Sequence, residues 1–220
     1  MATYDLEEQE QLDELKAWWK QYGNLITWVL LVASLSVAGW QGWNWYQRQQ
    51  SAQASTIFSV LQRAVAERDQ QKVKAATGEL LEKFSGSTYA PMAAMLAGKS
   101  AFEAGDLKTA KVQLGWAVDH SSDELQDLAR LRLAAVMLDE KAFDEAQKQV
   151  AQFNVRNFEP LFVEMRGDIL LAQGKRAEAK AAYQQALQKK SANATDGNPE
   201  ARSTGFREVV QQKIDTLGDV

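Results

Sequence analysis

The chain has 220 residues, enough for one domain with an appendage, and 25 basic against 29 acidic residues leave a net charge of −4. That balance supplies no basic field for nucleic acid, so no nucleic-acid partner is expected. With no cysteine and a single histidine, the chain lacks disulfides, thiolate metal sites, a cysteine nucleophile and the usual zinc constellations. Only three prolines interrupt it, and Ala, Gln, Leu, Glu and Lys outnumber β-branched residues, which predicts an all-α protein.

The first predicted element is an amphipathic tail, residues 1–21. Leu12, Leu15, Trp19 and Tyr22 recur at i, i+3, i+7 and i+10, one face of a helix. Asp5, Glu7, Glu8, Glu10, Asp13 and Glu14 make the tail acidic. It reads either as a docking helix for a partner or as a solvated lead-in, and a charge run is more often the second.

Residues 22–46 form the next element, a transmembrane helix with its interfacial flanks. No formal charge occurs between Lys20 and Arg48, and Leu25 to Trp40 is strongly apolar. A helix rises about 1.5 Å per residue, so roughly 20 such residues span a hydrocarbon core of about 30 Å. Six of the seven tryptophans lie between Trp18 and Trp45. Trp18, Trp19 and Tyr22 at one end, with Trp40, Trp43 and Trp45 at the other, are the expected contacts with the headgroup layer of membrane lipid. The Ser34 and Ser36 hydroxyls are expected to bond back to helix carbonyls.

Two other readings compete. A core helix of a soluble protein can be equally apolar but rarely bears so many tryptophans. A cleaved signal peptide is suggested by Ser36-Val37-Ala38 before Gly39, yet a signal peptide needs a positive leader and this one is acidic. The expectation is an uncleaved anchor. Lys16 and Lys20 on one side nearly balance Arg48 and the more distant Arg63 on the other, so charge leaves its direction open.

Residues 47–190 read as helical repeats. Gly98, Ala101, Phe102, Gly105 and Ala110 have counterparts in Ala134, Met137, Lys141 and Ala146, and again in Gly167, Leu170, Gly174 and Ala179. The marker alanines Ala110, Ala146 and Ala179 stand 36 and 33 residues apart, close to the tetratricopeptide period of about 34. Gly98, Ala134 and Gly167 allow two helices to approach closely, and Gly105 and Gly174 suit a left-handed turn. Leu114, Val150 and Tyr183 are expected to fill the seam to the next repeat. An earlier degenerate unit, Ser55 to Phe84, carries Ala76 in the marker position. A polar linker at 191–205, containing Asn198-Pro199, then leads to a capping helix at 206–220. Its apolar face is predicted to hold Phe206, Val209, Val210 and Leu217 and to close the solenoid.

Catalytic chemistry is not expected. His120 sits in a loop between repeats without a Ser-His-Asp arrangement, no glycine-rich phosphate loop follows a strand, and no cofactor is implied. Binding is the function left. The A helices of a stacked array line its concave face, which here would include Met92, Met95, Lys99, Phe102, Leu128, Leu131, Ala135, Glu164 and Asp168. Flexible thioethers suit varied apolar ligands, although several of these residues can equally be core. Arg130 and Arg132 more readily pair with neighbouring acids than read an acidic partner.

The tail motif Leu15-Lys16-Ala17-Trp18-Trp19-Lys20, the single anchor, Thr88-Tyr89-Ala90, and Ala129-Arg130-Leu131-Arg132-Leu133-Ala134 occur together in one order. In this the chain resembles the YfgM-like ancillary subunits of the bacterial SecYEG translocon over nearly its whole length. The resemblance implies a non-enzymatic, single-pass inner-membrane protein with a cytoplasmic N-terminus and a TPR-like α-solenoid in the periplasm. It implies as partners the SecYEG translocon, a PpiD-type membrane-anchored periplasmic chaperone and nascent exported proteins, which such a subunit passes to folding factors. The third repeat departs from the pattern at Arg176, where an aromatic is usual. A repeat scaffold for another cell-envelope complex is the competing function.

Overall fold

The structure, a computed structural model, describes residues 3–193 and 200–218, with side chains for residues 12, 15–190 and 205–218. Among the described residues the chain is all helix and carries no strand. In order these are α1 Thr3–Ala66, α2 Gln70–Lys83, α3 Tyr89–Glu103, α4 Leu107–Asp119, α5 Asp123–Asp139 and α6 Phe143–Val150. A single 3-10 turn, Arg156–Phe158, precedes α7 Glu159–Ala172, α8 Arg176–Asn193 and α9 Glu200–Leu217. The chain divides into two compact units, residues 1–50 and 51–220.

Tail and anchor are not separate elements. Both belong to α1, whose sequence holds no proline and only isolated glycines, so nothing stops the helix. Within the first unit this helix is long and apolar enough to cross a membrane, and only 6% of its span is buried. A soluble core helix would be mostly covered. The Thr27 hydroxyl donates to the Gly23 carbonyl at 2.7 Å and the Ser36 hydroxyl to that of Val32 at 2.8 Å. Both hydroxyls are thereby satisfied inside the helix, the requirement lipid imposes.

The second unit is a stack of helix pairs. Ala54, Phe58, Leu61 and Ala64 of α1 share one buried cluster with Val73, Ala76 and Leu80 of α2 and Ala93 and Ala97 of α3. The pairs α3 with α4, α5 with α6, and α7 with α8 follow, each packed on the next. All four pairs turn in the same way. Arg68, Gly105, Lys141 and Gly174 lie at φ of 57°, 81°, 60° and 81°. In each turn the following N–H reaches back to a carbonyl five residues earlier: Asp69 to Ala64, Asp106 to Ala101, Ala142 to Met137 and Lys175 to Leu170. This is the left-handed helix ending of the Schellman type. The degenerate segment from Ser55 to Phe84 is thus a helix pair with the repeat's own turn.

Small residues set how closely the pairs pack. A Cβ at Gly98 would stand 2.8 Å from Leu114 Cγ, and one at Gly167 would stand 2.5 Å from Tyr183 Cε1. Leu114 and Tyr183, predicted to fill the seam to the next repeat, therefore pack on the glycine of their own pair. The marker alanines Ala110, Ala146 and Ala179 are fully buried.

The structure corrects the C-terminal boundaries. α8 runs on to Asn193 and α9 begins at Glu200, so the segment predicted as linker 191–205 is helical at both edges; residues 194–199 lie outside the described residues. The buried face of α9 is Val210, Ile214 and Leu217 with half-buried Phe206, whereas Val209 is exposed. The i, i+4, i+7 spacing from Val210 keeps these three on one stripe, and Val209 falls beside it.

Asp127 is a feature the sequence does not flag. It is fully buried, and its carboxylate accepts from the Asn154 N–H at 2.9 Å through both oxygens and from the Val155 N–H at 2.9 Å. It ties the segment between α6 and α7 to α5, where no helical bond is available to those amides.

Two stability changes of opposite sign follow. Lys141→Gly relieves a left-handed lysine and is expected to stabilise the repeat unit by about 1 kcal/mol. Gly167→Ala forces a methyl group into the Tyr183 ring and is expected to cost roughly 1–3 kcal/mol. Urea melts of the full chain in detergent, read by circular dichroism, measure both; a destabilised Lys141→Gly would refute the strain assigned to that turn.

Candidate protein-binding surface

The A helices α3, α5 and α7 pack on one another across successive pairs, while each B helix packs chiefly on its neighbours in sequence. The A helices therefore form the inner layer of the repeat unit, the side a solenoid uses for extended partners.

The residues predicted for that face separate into four groups. Lys99 and Phe102 are exposed on α3, with Phe102 37% open and Lys99 3.6 Å from Glu103. Met92 and Leu128 are half-buried at the edges of the core clusters, as is Ala135 on α5. Met95 and Leu131 are buried in the main core, so they support the face from beneath rather than line it. Arg130 Nη1 stands 3.7 Å from Asp127 Oδ1, in keeping with pairing to a neighbouring acid.

Glu164 and Asp168 on α7 are engaged within the chain. The Lys213 ammonium of α9 donates to Glu164 Oε1 at 2.9 Å and to Asp168 Oδ1 and Oδ2 at 2.7 and 2.8 Å. The Tyr183 hydroxyl donates to Asp168 Oδ1 at 2.7 Å, and Lys213 Nζ lies 5.6 Å from the centre of the Tyr183 ring. Burial pulls the Lys213 pKa down, but its bonds to Asp168 and Glu164 outweigh this and leave it above the ordinary lysine value. Burial, followed by the bond to Asp168, pushes the Tyr183 phenol well above the tyrosine range.

The other end of α9 is held from α8. The Arg176 guanidinium donates to the Leu217 carbonyl at 3.3 Å and the Lys180 ammonium to that of Gly218 at 2.7 Å. Cations here satisfy the last carbonyls and the negative end of the helix dipole. The arginine standing where the repeat family has an aromatic is thus a C-cap for the closing helix.

The predicted membrane-interface residues Trp18, Trp19, Tyr22, Trp40, Trp43 and Trp45 are all exposed on α1. Trp18 and Tyr22 rings lie 5.8 Å apart and those of Trp43 and Tyr46 6.3 Å apart, forming two aromatic groups. At the rise of a helix, Tyr22 and Trp43 are separated by roughly 32 Å along the axis, matching the hydrocarbon thickness.

His120 ends α4, stacks on Trp116 at 3.9 Å between ring centres, and has Nδ1 2.9 Å from the Trp116 carbonyl. Among the described residues no group of three or more His, Cys, Asp and Glu side chains converges to hold a metal ion.

Residues 16–219 match the tetratricopeptide repeat-like domain family. The chain is 31% identical to the ancillary SecYEG translocon subunit of Neisseria gonorrhoeae over 99% of its own length and 100% of that protein. It is 32% identical to the subunit of the same name from Haemophilus influenzae, over 84% of this chain and 91% of that one. The Escherichia coli protein of that name is 25% identical, over 99% of both.

The Lys213 cluster makes a testable claim on α9. Its three buried aliphatic residues contribute on the order of 5–9 kcal/mol gross, whereas the partly exposed ion cluster contributes about 1–2 kcal/mol, so the apolar seam holds the helix and Lys213 orients it. Lys213→Met is expected to cost about 1–2 kcal/mol, since it strands two half-buried carboxylates. A lysine pKa raised by folding stabilises fully below the unfolded value of about 10.4 and fades only as pH climbs through the higher folded value. Melting curves should therefore show a constant wild-type advantage over Lys213→Met from about pH 7 to pH 9 that shrinks in stronger alkali. An advantage that disappears below pH 9 would refute the assignment.

Proposed function

This chain belongs to the tetratricopeptide repeat-like family that holds those translocon subunits, and we propose that it is itself an ancillary subunit of a SecYEG translocon. The observation that carries this reading is that the match runs through the aromatic-flanked anchor and the whole repeat unit alike. In this reading α1 crosses the inner membrane once, with the N-terminus in the cytoplasm and the repeats in the periplasm. The two aromatic groups fix the helix depth, and Trp40, Trp43 and Trp45 stand where a membrane-embedded channel subunit would touch it.

The repeat unit then works by binding, without catalysis or cofactor. Lys99 and Phe102 form the open part of the A-helix face, with Met92 and Leu128 at its margin and Met95 and Leu131 supporting it. A face of this kind suits short apolar segments of exported chains and a PpiD-type periplasmic chaperone, between which the subunit would act as adaptor. Glu164 and Asp168 serve instead to seat α9, which ends the stack.

Two measurements test the proposal. A phosphatase that folds only in the periplasm, fused after Val220, should be active; a cytoplasmic readout would sink the orientation and with it the translocon role. Photocrosslinkers placed at Trp40 and at exposed Phe102 should trap, respectively, a channel subunit and a stalled exporting chain. Crosslinks from Phe102 to envelope proteins alone, with none to exporting chains, would favour a scaffold for another complex.

A further inference from the structure

Between Asn24 and Gln41 the anchor part of α1 holds five polar residues other than tryptophan: Asn24, Thr27, Ser34, Ser36 and Gln41. Four of them, with Leu31 and Ala38, recur at alternating spacings of three and four, in the order Asn24, Thr27, Leu31, Ser34, Ala38, Gln41. That is the a/d pattern of a heptad, the 3.5-residue period along which two helices wind together. The helix is unbroken here, so all six lie on one stripe. Trp40 and Trp43 fall on the opposite side, with Val29, Val32 and Ser36.

The chemistry of this stripe does not suit lipid. Asn24 and Gln41 lie about 26 Å apart along the axis, inside the two aromatic groups and so inside a hydrocarbon core of about 30 Å. Thr27 is satisfied by the Gly23 carbonyl at 2.7 Å, and Ser36, off the stripe, by that of Val32 at 2.8 Å. The Asn24 and Gln41 amides and the Ser34 hydroxyl make no hydrogen bond among the described residues. Ser34 thus departs from the return to a helix carbonyl expected of it. Each amide carries two N–H donors and a carbonyl that this helix leaves unpaired and hydrocarbon cannot solvate. In a spanning helix such groups turn toward another helix and hydrogen-bond across the contact. The stripe has room for one. Ser34 and Ala38 are small, and Gly42 borders them with nothing within 4 Å of where its Cβ would be.

We propose that this stripe joins α1 to the α1 of a second copy of the chain, as a parallel two-helix contact within the membrane. Copies inserted in the same direction run parallel, so every residue of the stripe meets its own counterpart at the same depth. Asn24 faces Asn24 and Gln41 faces Gln41, and an amide both donates to and accepts from its own kind. No formal charge between Lys20 and Arg48 opposes the pairing. A helix of another protein would need amides at both depths, whereas a second copy has them by construction. The contact requires that α1 cross the membrane, in either direction. It does not rest on the translocon role, and it leaves the Trp40 and Trp43 side of the helix free.

The chain contains no cysteine, so single introduced cysteines report the contact without background. Two differently tagged full-length copies, each with the same substitution, are co-expressed and their membranes oxidised with copper phenanthroline. Disulfide-linked mixed-tag dimers are expected from Leu31→Cys, Ser34→Cys and Ala38→Cys, about fivefold or more above Val29→Cys, Val32→Cys and Ser36→Cys. Adding Asn24→Leu and Gln41→Leu to Leu31→Cys should cut the dimer about five- to tenfold through the lost amide pairs. Both replacements are more apolar than the residues they remove, so insertion is kept. Equal yields on both sides of the helix, yields unmoved by the double replacement, or the heptad pattern with another membrane protein and no mixed-tag dimer would each overturn the proposal. Alkaline carbonate extraction of the same membranes separates two failures. A chain that stays in the pellet without the pattern loses the dimer alone, and a chain released by carbonate loses the anchor as well.

Discussion

Everything in the repeat unit depends on how closely two helices of one pair can approach. Gly98 facing Leu114 and Gly167 facing Tyr183 remove the Cβ that would hold the axes apart, so the large B-helix residue sits against bare backbone. That depth of packing is what allows Tyr183, a residue with a hydroxyl to satisfy, to be fully buried while its oxygen still reaches Asp168 at the edge. Once the pair is set, its outer face is apolar and must be covered by the next pair, which makes the array self-propagating until something different stops it.

What stops it here is α9, and the two kinds of interaction that hold it have different jobs. Val210, Ile214 and Leu217 supply most of the stabilisation, but an apolar stripe alone tolerates sliding. Lys213 against Glu164 and Asp168 at one point, and Arg176 and Lys180 against the terminal carbonyls at another, fix register along the axis. Charges predicted to face partners are in this way drawn into the architecture of the stack.

The helix periods and marker alanines were legible because they obey a spacing rule: Ala110, Ala146 and Ala179 had to be small, and burial leaves them no exposed surface. The turns were legible only where glycine announces them. Gly105 and Gly174 stand out in sequence, whereas Arg68 and Lys141 adopt the same left-handed backbone without any signal, because one strained residue is tolerated when the surrounding bonds demand it. The start of α9 at Glu200 was hidden for a related reason: its first turn is polar and carries no period. Asp127 could not be found from a pattern, since its partners Asn154 and Val155 are backbone amides distant in sequence. The candidate face was placed on the A helices by the repeat pattern alone, and helical spacing cannot tell a margin from a core. Met95 and Leu131 share their helices with exposed Lys99 and half-buried Leu128, and only the crossing of the neighbouring helix decides which of them is covered.

The same crossing explains why the two sides of the unit differ. On the A side, α3, α5 and α7 touch one another, so the face is continuous and its residues grade from core to surface. The B helices α2 and α4 instead pack on either side of α3, with small residues of α3 between them. These are Ala97, Ala101 and Ala104. Ala97 belongs to the core shared with α1 and α2, and Ala101 to the core shared with α4 and α5, so their small size sets how closely α3 meets both neighbours. One A helix thus joins two neighbouring cores through small residues, whereas the last pair has no such neighbour and is sealed by five polar contacts to α9.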